Sequence, residues 1–236
     1  MRTILVTSTG LALCLAACNR SPQTSGDGPL SPTVPVSHAA TSAAAPAASR
    51  QLQAAEPFEA LTETAFSATP TELSTAVGKA ETTAATIRRD LPADAANRLT
   101  NQVRQVKVQH AAGNRAGIAL ASIEAYRTLV TAAPPAKVPN AVNLLDYAGF
   151  RYQADLRATP IHWDDTVASA AFAEAQWNQL RAQVNDPSLN ARVSAAISDL
   201  TAAAASRNRA QAERAANAEL ALVDGLETYF NGHPVA

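Results

Sequence analysis

Cysteine is nearly missing from this chain: Cys14 and Cys18 are the only two in 236 residues. Beyond residue 18 neither a disulfide nor a thiolate ligand can form, so the body must be stable through packing alone. Met1 is the sole methionine, which removes thioether ligation and leaves soft metals such as Cu(I) without ligands. Net charge is close to absent, −1 over the whole chain. Without residues 1–17, which hold Arg2 and no acid, 18 basic and 20 acidic residues remain, a formal charge of −2. Such a balance gives no basis for steering towards nucleic acid, and no nucleic-acid partner is expected. The one adjacent basic pair, Arg88-Arg89, is followed at once by Asp90. Signatures of catalysis are also missing: no G-x-S-x-G, H-E-x-x-H, Walker loop, C-x-x-C-H or G-x-G-x-x-G occurs. Binding without catalysis is the leading expectation, and no cofactor is expected.

What is present begins with an address. Arg2 and the amino terminus form a short positive region, and Ile4 to Ala17 is an apolar run too short to span a bilayer with margin. These residues fit a secretory signal in which Cys18 is incidental. Leu15-Ala16-Ala17-Cys18, however, also resembles the lipobox of bacterial lipoproteins at all four positions. That resemblance covers about the first 18 residues. It implies a signal peptide over 1–17, cleavage before Cys18, and acyl chains on Cys18 that attach the protein to a membrane facing the periplasm. Asn19, where enteric lipoproteins of the inner membrane carry Asp, leans by the same resemblance towards the outer membrane. An envelope protein is the partner such an anchor suggests.

From Asn19 to about Ala55 the chain is Ser, Thr, Pro, Ala and Gly with almost no large apolar residue. Such a stretch is expected to be a disordered tether of 37 residues, spanning roughly 35 Å as a flexible coil. His38 falls within it.

Residues 56–236 read differently. Alanine accounts for 55 of the 236 residues, glycine is rare, and no alternating β-branched run of strand length occurs. The expectation is an all-α, antiparallel bundle of seven or eight helices. Breaks are expected at Thr69-Pro70, Pro92, Gly113-Asn114, Pro134 to Pro139, Thr159-Pro160, Asp186-Pro187, after Ser206, and at Gly232 and Pro234. Asp164 or Asp165 is expected to cap the helix that follows Pro160. Asn114-Arg115-Ala116 recurs as Asn208-Arg209-Ala210, 94 residues on. The recurrence suggests two three-helix units around a central helix over 140–158; chance likeness between alanine-rich hairpins is the alternative.

Candidate site residues concentrate in 140–165. Asn143, Tyr147 and Arg151 share one helix flank by their i, i+4, i+8 spacing, with Asp146, Asp155 and Trp163 nearby. They fit either a polar pocket or a solvated face with an Arg151–Asp155 surface pair worth a few tenths of a kcal/mol. His162, Asp164 and Asp165 fit a fragment of a metal site, or simply a helix start that favours acids. His110 lies on an apolar stripe near a helix end. Glu174 lies beside Trp177. Glu227 follows the core stripe of the last helix, where a buried carboxylate would need a partner such as Arg98, Arg151 or Arg192. Should the protein bind a metal or small ligand, His110, His162, Asp164, Glu174 and Glu227 are expected to converge.

Overall fold

The computed structural model describes residues 44–233, with side chains from Arg50 onward. The lipobox, Cys18, most of the expected tether including His38, and Pro234 lie outside the described residues. The described residues form an all-α helical bundle of eight α-helices: α1 Ala44–Thr64, α2 Pro70–Ile87, α3 Ala93–Ala111, α4 Arg115–Ala132, α5 Asn140–Arg157, α6 Trp163–Leu180, α7 Pro187–Ser206 and α8 Arg209–Gly232.

Local chemistry places most of these boundaries. Thr69 accepts from the Glu72 amide while the Glu72 carboxylate accepts from the Thr69 amide at 2.7 Å, closing a reciprocal cap before Pro70. Asn114 and Asn208 cap α4 and α8 by accepting from Gly117 and Gln211 amides at 3.0 and 3.1 Å. Asp186 accepts from Ser188 and Leu189 amides ahead of α7. Gly113, at φ 67°, ends α3 in the left-handed conformation that glycine adopts without steric cost.

Two expectations are corrected. The tether does not extend to residue 55, because α1 begins at Ala44 and passes through Pro57. Lack of large apolar residues is no obstacle there: Ala54 and Ala55 are buried, and alanine combines high helix propensity with a contact short enough for close helix packing. The second correction follows from the first. Residues 140–158 are not a central helix between two three-helix units. With α1 complete, α1–α4 and α5–α8 form two four-helix halves of matching order. Short 3-10 turns at Arg88–Asp90 and Arg181–Gln183 follow α2 and α6. Left-handed Gly113 is matched by left-handed Arg207, φ 51°. Packing repeats as well: α1 contacts α2 and α4 as α5 contacts α6 and α8, and α3 packs on α4 as α7 packs on α8.

Within the first half, Ser122 donates to the Phe58 carbonyl at 2.8 Å, and Arg115 closes the end of α1 through the Ala65 and Ala68 carbonyls. In the second half, fully buried Tyr152 stands where Phe58 stands in the first, and its hydroxyl donates to Leu200 on α7 at 3.2 Å. The halves meet chiefly where α4 packs on α5. That seam carries the polar groups of interest.

Candidate functional site

Helix α5 brings Tyr147, Arg151 and Asp155 onto one flank facing α4 and the start of α6. Tyr147 donates to Glu124 Oε1 at 2.6 Å, and Arg151 Nη1 forms an ion pair with the same oxygen. Arg151 Nε donates to Asp155 Oδ2 at 3.0 Å, and its Nη2 lies 3.9 Å from Asp165 Oδ1. Arg127 adds a second guanidinium, 5.2 and 5.1 Å from the ring centroids of Tyr147 and Phe172. The Arg151–Asp155 contact is therefore no surface pair: the Asp155 side chain is 0% exposed. Burial raises the Asp155 carboxyl above its ordinary range against the pull of Arg151. Burial also works against the Arg151 charge, but Asp155, Tyr147 and Glu124 outweigh it and its pKa rises.

His162 completes this group. Its Nδ1 is 3.3 Å from Asp155 Oδ1 and 3.7 Å from Asp165 Oδ2. One ligand atom each from Asp155, His162 and Asp165 lies within 4.8 Å of the others. Each aspartate presents one oxygen to Arg151 and the other to the imidazole, so the guanidinium orients both carboxylates from behind. Imidazole and two carboxylates are a donor set suited to zinc and other borderline divalent metals. The expected cap is corrected: His162 is the N-cap residue of α6, without a side-chain capping bond, and Asp164 and Asp165 lie in its first turn. Asp164 instead pairs with Arg207 at 3.0 Å on the surface.

A second group lies along α1, α4, α5 and α8. Burial, and then the charge of Asp146, raise the Tyr126 hydroxyl well above its ordinary range. Burial first, and then Glu59 and Glu227, push Asp146 well above its ordinary value. Glu59 is raised to about 7 by burial and by Glu227, Glu63, Glu56 and Asp224. Burial and Asp224 raise Glu227. No arginine pairs with Glu227 among the described residues, contrary to the expected partnership with Arg98, Arg151 or Arg192, and Glu227 is only partly buried. The fully buried carboxylate of α8 is Glu219, two turns earlier, at 2% exposure. Neither of its oxygens has a hydrogen-bond partner among the described residues. Burial and Asp146 hold its pKa well above the ordinary value.

The candidates thus separate. Tyr147, Arg151 and His162 come together; Asp146 and Glu227 come together elsewhere on the seam. His110 stands apart, with Nε2 3.2 Å from Ser74 Oγ. Exposed Glu174 borders a cleft with Trp177 and Arg181 between α6 and α7. The five-residue convergence expected for a ligand site does not occur. Sequence reasoning missed Glu124, Glu59 and Tyr126, whose roles depend on helices distant in the chain. It missed Glu219 because an alanine-rich stripe gives little contrast between inward and outward faces; the spacing of Ala212, Ala215, Glu219 and Leu222 was the available signal.

No protein-family model, curated protein or solved structure matches this chain.

Proposed function

We propose that this chain is a lipid-anchored helical-bundle module of the bacterial cell envelope, held by acyl chains on Cys18 and facing the periplasm, that binds another envelope component. The observation supporting a binding role is the gathering of buried and half-buried charged groups at the α4–α5 seam, in a body otherwise packed mainly by alanine, aliphatic and aromatic side chains. Attachment in this reading rests on acyl chains, each buried methylene contributing about 0.8 kcal/mol. No described helix is long and apolar enough to cross a membrane. Asn19 favours the outer membrane. The test is palmitate labelling and membrane fractionation of wild type beside Cys18→Ser, followed by crosslinking in intact cells. Label and membrane association lost in the variant, with a specific crosslinked envelope protein lost from Arg127→Ala, support the reading. An unacylated wild-type protein, or no crosslinked species, overturns it.

One arrangement favours a second reading, divalent metal binding: the convergence of Asp155, His162 and Asp165. Zinc titrated calorimetrically into the full chain should bind with one-to-one stoichiometry. Affinity should fall towards acid pH, since carboxylate and imidazole ligands bind a metal in their deprotonated forms. Equal zinc affinity in His162→Ala would exclude this site.

A further inference from the structure

Glu219 is buried where α8 packs on α5, and neither of its oxygens has a hydrogen-bond partner among the described residues. Its carboxyl fills space that a side chain on Gly149 of α5 would otherwise occupy. No cation is at hand. On α8 itself, no titratable residue lies within one turn of Glu219. On α5, Asp146 adds a like charge, Arg151 is held by Glu124 and Asp155, and the Tyr152 hydroxyl donates to the Leu200 carbonyl. On α7, the other helix packed extensively against α8, the charged residues Arg192 and Asp199 are both exposed.

A carboxyl in such a place has two states. Protonated, it is neutral and can remain enclosed, at the cost of its unmade hydrogen bonds. Ionised, it needs a cation or water. The seam between α5 and α8 supplies no cation, so the anion is satisfied only where the two helices part and water enters.

Few ties resist that parting. Among the described residues one side-chain hydrogen bond joins α5 to α8, from Gln153 to Asn217 at 2.8 Å, and it is exposed. Helix α8 has no extensive packing on α1, and a cleft of about 270 Å³ bordered by Glu59 and Glu227 lies between them. Its hold on the α6–α7 connection is firmer: the Tyr229 hydroxyl accepts from the Asn185 amide at 2.8 Å and donates to the Gln183 carbonyl at 3.3 Å.

We propose that Glu219 is a proton-operated latch on the α5–α8 seam: protonated, it lets the two helices close, and ionised, it opens them while α8 stays on α7. Gly149 stands on α5 between Tyr147 and Arg151, so the opening reaches the helix that carries the polar groups facing α4. The latch draws neither on acylation at Cys18 nor on metal at Asp155, His162 and Asp165. Burial, and then Asp146, raise the Glu219 carboxyl well above its ordinary range, which sets the opening on the alkaline side of that range. The closed form holds the proton and the open form releases it, so rising pH favours opening.

The test is amide hydrogen exchange of the full chain from pH 5 to pH 9, corrected for the intrinsic pH dependence of exchange. Protection over residues 145–153 and 215–223 should fall with rising pH by roughly tenfold or more relative to α2. Glu219→Gln and Glu219→Met keep the length of the side chain and cannot ionise; both should abolish the fall, whereas Glu59→Gln should leave it. Circular-dichroism melts at pH 5 check folding, and the Met variant decides if the Gln variant does not fold. Protection of the two segments that stays constant with pH, falls equally in the Glu219 variants, or falls no more than that of α2 overturns the proposal.

Discussion

Gly149 and Glu219 share one space. A Cβ on residue 149 would run into Glu219 Oε2 and come within 2.7 Å of Leu220 Cδ2. The positions that correspond to them in the first half, Ala55 and Ala125, are both buried. Two small side chains there are replaced in the second half by none and a glutamate.

Gly149→Ala should therefore destabilise the bundle by about 1–3 kcal/mol through overpacking, although alanine is the better helix former. Glu219→Ala in the same chain should recover much of that loss by restoring the small pair. Urea unfolding of the single and double variants checks both; a neutral single variant would show that α8 moves aside freely.

Removing Arg151 takes from buried Asp155 its guanidinium partner and leaves only the His162 imidazole beside it. Arg151→Met should cost about 3–5 kcal/mol, the usual penalty for breaking a buried ion pair from one side. Arg151→Met/Asp155→Leu, which removes both charges, should be much closer to wild type. A single-variant loss below about 1 kcal/mol in chemical denaturation would contradict the pairing described here.

Stability should fall as pH rises from 5 to 8. The Glu59 carboxyl lies near 4.5 when unperturbed and about 7 in the folded chain. The folded state therefore holds more protons between those values. The contribution is fully present below pH 4.5 and lost as pH passes through about 7. Asp146, Glu219 and Glu227 are raised as well and act in the same direction. Melting temperatures across this range should decline, and Glu59→Gln should flatten the decline. A profile of equal slope in the variant would place the titration elsewhere.

Arg207 ends α7 in a left-handed conformation that costs a side chain roughly 1–2 kcal/mol. Arg207→Gly should raise stability by up to about 1 kcal/mol, after the greater unfolded-state freedom of glycine is set against it. The exposed pair with Asp164 contributes little that could be lost. Thermal unfolding decides the sign, and a lower melting temperature would mean that the ion pair outweighs the backbone conformation.

Helix boundaries were largely legible in the residues because capping is local. Thr69-Pro70, Asn114, Asp186-Pro187 and Asn208 each satisfy amides two or three positions away. Gly113 was readable for a similar reason. The start of α1 was not, since Leu52 is the one large apolar residue in 44–55 and burial of alanine leaves no apolar periodicity to count. Missing that half-helix also hid the equivalence of α1 with α5. Tyr147 and Arg151 were found by their shared flank, whereas the depth of Asp155 and Glu219 depends on which neighbouring helices cover them.

Buried contacts in this bundle are lined in large part by methyl groups: among the described residues, 20 alanines are buried. Where two backbones meet through single carbons, even modest thickening at the interface would lever the rods apart along their length. Variation is thereby steered away from the backbone scaffold and into the side chains at its margins. One half can carry Pro57, Leu61 and Ala68 where the other carries Arg151, Asp155 and His162, with the stacking order preserved. A single architectural plan then serves two chemically unlike faces.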